Sequence, residues 1–288
     1  MTVREYYYKH FSELNSDKQF HFATRIKNYF KTHDFDEYFK NNRPNSDVAK
    51  IISNNDYSRV SNLQLRKPFF EKYPDLYGVE AALFRVHHLL AEYGLDLRDK
   101  FLELYPKKQL YNLSDNLIQD EEAFKILSTW AINAIYLTEE LFPRGENVIK
   151  RMSEMALNLD LDSTNPTILS YLYTHIILCE SDFYTKNLMN SENLELMKQL
   201  LKKCAEVINK NIDTMSLDAC VEFLVCSNMV GVDYPDLRAK IAEICTEFRK
   251  NSPYVINYRR DSTPGSYFHT LNGAEHINVL YIMSGLDL

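Results

Sequence analysis

The sequence predicts an all-α protein, an array of antiparallel helical hairpins that either runs on as a solenoid or closes into an α/α toroid. Three observations predict it. Apolar residues recur every three to four positions along most of the 288 residues. No run alternates apolar and polar residues as a set of half-buried strands would. Proline, glycine and asparagine fall between the periodic stretches and cut them to about 12–24 residues each. No shared signature recurs at the spacing of tetratricopeptide or ankyrin repeats, so the hairpin rhythm rests on punctuation alone.

In chain order, residues 2–14 read as a first helix with Tyr6, Tyr7, Phe11 and Leu14 on its apolar side. Residues 17–40 read as a second, carrying Phe20, Ala23, Ile26, Tyr29 and Phe30, with a break near His33-Asp34. Asn41 to Ser46 is a loop, and Val48 to Ile52 a short helix. Residues 53–75 are polar and interrupted by Pro68 and Pro74, and read mainly as a connector. Asp75 to Tyr93 is a helix ended by Gly94, and Leu97 to Tyr105 a shorter one stopped by Pro106. A helix starting at Asp120 or Glu121 runs to Phe142, its first turn acidic as the macrodipole favours. Then follow Glu146 to Leu159, Pro166 to about Tyr184, Ser191 to Ile212, Ser216 to Met229 and Asp233 to Arg249. Pro253 to Gly265 is a loop, and Gly273 to Ser284 the last helix. The expected organisation is an N-terminal helical region and connector at 1–75, followed by the hairpin array at 76–288.

Composition narrows the function. Apolar residues at 45% allow a sizeable core, and 25% charged residues is a globular value. Thirty-three basic against 40 acidic residues leave a net charge of −7, which argues against a general nucleic-acid binder. No stretch approaches the ~18 apolar residues of a membrane span, and the N-terminus lacks an apolar signal core. The five cysteines, Cys179, Cys204, Cys220, Cys226 and Cys245, show no paired zinc spacing. They read as reduced thiols packed as small hydrophobes, which favours the cytoplasm. Seven glycines form neither a dinucleotide-binding nor a phosphate-loop motif.

The helix from Pro166 is apolar nearly all round, which predicts burial. His175, Cys179 and Asp182 nevertheless recur at i, i+4 and i+7 as a polar stripe. A histidine beside a carboxylate suits a general base held in one tautomer, or part of a metal site. A buried histidine with its hydrogen bonds met is the plain alternative. His269, in Tyr-Phe-His-Thr before the last helix, is the expected third member, while Glu275 and His276 read as surface groups. Glu80, His87, His88 and Glu92 form the polar side of their helix, without the Glu-x-x-His pairs of a di-iron bundle. The 20 tyrosines and 16 phenylalanines suit an aromatic-lined groove, or simply reflect an AT-rich genome.

Thr174-His175, Asp182-Phe183 and His269-Thr270 resemble motifs of an uncharacterised bacterial all-helical family. The resemblance covers roughly residues 120–285 and leaves out the first 70. That family has no assigned reaction, and some members lie beside genes for modified peptides. The resemblance implies that His175, Asp182 and His269 are positions of interest. The function expected is a helical scaffold for a peptide or small ligand, in a peptide-modification or signalling pathway. The competing expectations are an enzyme using His175, Asp182 and His269 in acid/base or metal-assisted chemistry, and a protein–protein adaptor. Nucleic acid and membranes are not expected partners; the cofactor and the oligomeric state are left open.

Overall fold

A computed structural model describes residues 1–159, 164–259, 261–263 and 265–287. Among them there are sixteen α-helices and no strand. They are α1 (Val3–Lys9), α2 (Ser16–Phe30), α3 (Asp36–Asn41), α4 (Val48–Ile52), α5 (Leu63–Lys72), α6 (Leu76–Tyr93), α7 (Arg98–Leu104) and α8 (Lys107–Gln119), then α9 (Glu121–Leu127), α10 (Thr129–Leu141), α11 (Val148–Asn158), α12 (Pro166–Glu180), α13 (Leu194–Asn211), α14 (Leu217–Val230), α15 (Pro235–Arg249) and α16 (Glu275–Met283). Among the described residues, no helix is long and apolar enough to cross a membrane.

The chain divides into two compact units, Met1–Tyr38 with Glu180–Leu288, and Phe39–Cys179. The boundary at residue 75 read from the sequence is a division along the chain and falls inside the second of these.

The unit built from both chain ends centres on α14. All but two of its residues are buried, and α13, α15 and α16 pack around it. A helix apolar round most of its girth needs neighbours on every side. α1 and α2 lie against α16. Polar bonds fix the ends together. The Asp287 carboxylate accepts the N–H groups of Val3 and Arg4, both at 2.7 Å, and so caps α1 from the far end of the chain. Asn278 grips the loop before α16, accepting from the Val255 N–H and donating to the Val255 carbonyl at 2.8 and 2.9 Å.

The Phe39–Cys179 unit centres on α6 and α10, which pack along one another, with α4 on α6 and α8 on α10. Phe70, Leu76, Leu83, Phe101, Phe124 and Ile132 are almost fully buried in it. Gly78 lets α4 and α6 approach. A Cβ at 78 would stand 2.1 Å from the Ile52 carbonyl oxygen, and the Gly78 N–H is capped by Asn55 Oδ1 at 3.1 Å. α10 ends where Glu139 turns its carboxylate to the N–H groups of Arg144, Gly145 and Glu146 at 2.6, 2.7 and 3.1 Å.

Four expectations are corrected. The connector at 53–75 contains α5, with Pro68 inside it. A proline costs a helix an N–H, but burial of Arg66 and Phe70 holds this one. The helix expected from 121 to 142 is two, split at Ser128 with φ 43°. The split releases the Ile126 carbonyl from the helical ladder, and Arg66 Nε takes it at 3.1 Å. An unanticipated helix, α8, fills 107–119. Finally, α12 stops at Glu180 rather than Tyr184, because Asp182, Phe183 and Tyr184 all take positive φ.

Candidate functional site

The residues with the most suggestive arrangement lie on α6, α10 and α12. Asn133 sits in the apolar run Ala-Ile-Asn-Ala-Ile of α10 and is only 4% exposed. A buried amide in such a run must be hydrogen-bonded. Its Nδ2 donates to Glu80 Oε1 on α6 at 2.8 Å, and its Oδ1 accepts from His175 Nδ1 on α12 at 3.3 Å. The Cys179 thiol, one turn further along α12, points at the same oxygen from 3.9 Å. One amide therefore joins three helices, and it orients the imidazole by holding Nδ1 as the donor.

Aromatic side chains frame this row. The Tyr171 ring lies edge-on to His175 with centroids 6.0 Å apart. Trp130, one turn before Asn133, packs 6.5 Å from Tyr77 and 5.5 Å from Phe70. The buried Arg66 guanidinium lies over the Trp130 ring at 4.7 Å. Glu80, Tyr77, Trp130, Tyr171 and His175 are all partly exposed.

Burial pushes the Glu80 carboxyl up to about 7, with the Asn133 amide pulling the other way. An acid raised in the folded state binds a proton that the unfolded chain has already lost. This term therefore favours folding most below the ordinary carboxyl pKa, and is lost as pH rises through about 7. Burial also raises the nearby Tyr77 hydroxyl. A carboxyl that titrates near neutrality beside an oriented imidazole can bind a polar ligand, or move a proton at physiological pH.

His175 is thus placed with Asn133 and Cys179. Asp182 is not on the helical stripe expected of it. It lies past the end of α12 at φ 49°, where its carboxylate accepts from Thr185 Oγ1 at 3.1 Å and lies 4.0 Å from Lys186. His269 sits in a 3-10 turn, Tyr267–His269. Its Nε2–H donates to the Asp261 carbonyl at 2.6 Å, and its ring meets Tyr258 edge-on at 4.8 Å. Among the described residues, no group of three or more His, Cys, Asp or Glu is arranged to hold a metal ion.

The polar side expected of α6 is not solvated at its histidines. His87 and His88 are both buried, and His88 stacks on Phe84 at 4.3 Å. Asn133 escaped the sequence reading altogether. Its signal was an amide in the middle of an otherwise apolar helix. The five cysteines are buried free thiols, and burial pushes those of Cys220 and Cys245 up to about 12.

Comparison with protein families, with curated proteins and with solved structures returns no match for this chain.

Proposed function

We propose that the protein is a helical scaffold that binds a peptide or small polar ligand at the Glu80–Asn133–His175 row. The observation that carries this reading is the amide of Asn133, spent on two partly exposed titratable side chains from two other helices. Such a row brings hydrogen-bonding groups from two helices to either end of one amide, which suits a peptide amide. Tyr77, Trp130 and Tyr171 supply flat apolar surface beside it.

A thermal-shift screen of N-acetyl tetrapeptide amides tests the reading. At a hundredfold excess over Kd, a cognate peptide adds about 2.7 kcal/mol and raises the wild-type Tm by about 5 °C. His175→Gln and Asn133→Leu are expected to abolish that rise. No rise with any peptide, or an equal rise in both variants, would refute the proposal.

A second reading is favoured by one observation, the Glu80 carboxyl at about 7. It is an enzyme in which Glu80 and His175 act as an acid/base pair on the bound ligand, in place of the His175, Asp182 and His269 set expected from the sequence.

A further inference from the structure

The unit built from the chain ends holds a second group of titratable side chains, on α2 and the first turn of α16. Lys18, His21 and Arg25 lie at i, i+3 and i+7, on one face of α2. Beneath them is Glu275, whose side chain is 0% exposed. One of its oxygens takes Lys18 Nζ at 3.2 Å and the other takes His21 Nδ1 at 2.7 Å. Arg25 Nη1 donates to His276 Nδ1 at 3.0 Å, and the His21 and His276 rings are 5.6 Å apart.

The order of these groups matters. The carboxylate lies at the bottom with both oxygens used, while the cationic and imidazole groups are partly exposed above it. The two cations, Lys18 and Arg25, thus lie above the fully buried Glu275, and two more buried acids, Asp218 and Glu222, stand on α14, which packs against α16. Asp218, which lines a small cavity beside His276, is turned to Ser216 and Asn257. Arg25 has five N–H donors, and among the described residues its hydrogen bond to His276 uses one of them. Its guanidinium is steadied over the Tyr184 ring at 5.8 Å.

We propose that Lys18, His21, Arg25 and His276 form an anion site that takes a phosphate group, with Glu275 positioning Lys18 and His21 from below. A guanidinium fork with spare donors matches phosphate oxygens. His21 reports on charge brought to the site. Burial first, and then the Arg25 charge, hold its imidazole down at about 4, even against the pull of Glu275. A bound dianion would raise it.

Titration with inorganic phosphate at pH 7, at ionic strength matched with sodium chloride, tests the site. Phenyl phosphate, in a parallel arm, shows whether a monoester or free phosphate is preferred; tighter binding of either supports the site. The His21 ring protons are followed by NMR. The expected result is saturable binding that raises the His21 pKa by at least one unit. Arg25→Gln is expected to weaken it about tenfold or more, as is Lys18→Gln at a side chain 27% exposed. Binding no stronger than that of chloride, or equal binding by folded Arg25→Gln and Lys18→Gln, would overturn the proposal.

Discussion

Replacing Glu275 by alanine is expected to lower stability by about 2 kcal/mol at pH 7, the usual worth of hydrogen bonds to a buried ion whose partners are themselves partly exposed. The substitution removes the acceptor of both Lys18 and His21 from a side chain with no exposure, and it loosens α16 from α2. The loss depends on pH in a defined direction. Burial raises the Glu275 carboxyl, but His21 and the neighbouring cations outweigh it and hold the group below the ordinary value of 4.5. A lowered carboxyl contributes stability above its unfolded pKa and loses it as pH falls further. The difference between wild type and Glu275→Ala is therefore expected to be full at neutral pH and to shrink below about 4.5. His21 adds a second acid-sensitive term. Its folded pKa of about 4 lies below the unfolded 6.5, so the unfolded chain gains the proton first, and wild-type stability falls between those values. Urea unfolding at pH 7.5, 5.5 and 4 measures both. A loss under about 1 kcal/mol, or one that grows on acidification, would contradict the assignment.

The second large effect is expected at Gly78. Alanine is ordinarily worth about 1 kcal/mol more than glycine inside a helix, so a Gly78→Ala change with room for its methyl would stabilise. Here the new Cβ would lie 2.1 Å from the backbone oxygen of Ile52, which cannot swing away as a long side chain can. α4 and α6 must separate, and the Asn55 cap on the Gly78 N–H goes with them. The expected result is a loss of about 3 kcal/mol. The sign of the change decides the matter: any gain in urea midpoint would show that the two helices do not meet there.

The helical class and most helix ends were legible because local chemistry sets them. Gly94 stops α6 with φ 61°, and Asn147 caps α11 through its side chain. The misreadings have distant causes. Pro68 suggests a connector, yet α5 survives because Arg66 reaches the Ile126 carbonyl across the unit. Ser128 carries no sequence mark of a break. Asp182 fits a helical stripe on paper, but the chain leaves the helix at Glu180. Glu275 looked like a surface acid because its partners, Lys18 and His21, lie more than 250 residues away. The candidate site was half legible. His175 stood out within an apolar helix, and Glu80 was noticed among the polar groups of α6. Asn133, which joins them, was not, because nothing local to residue 133 says which helices face it.

The central claim is that Asn133 ties Glu80 and His175 into one partly buried row whose carboxyl titrates near neutrality. The most direct test is a carbon-13 NMR titration of the Glu80 side-chain carboxyl in the wild type and in Asn133→Leu. The account predicts a midpoint near 7 in the wild type. It predicts a higher one in the variant, because burial would then act without the amide donor. A wild-type midpoint near the ordinary carboxylate value of 4.5, unmoved by the substitution, would contradict it.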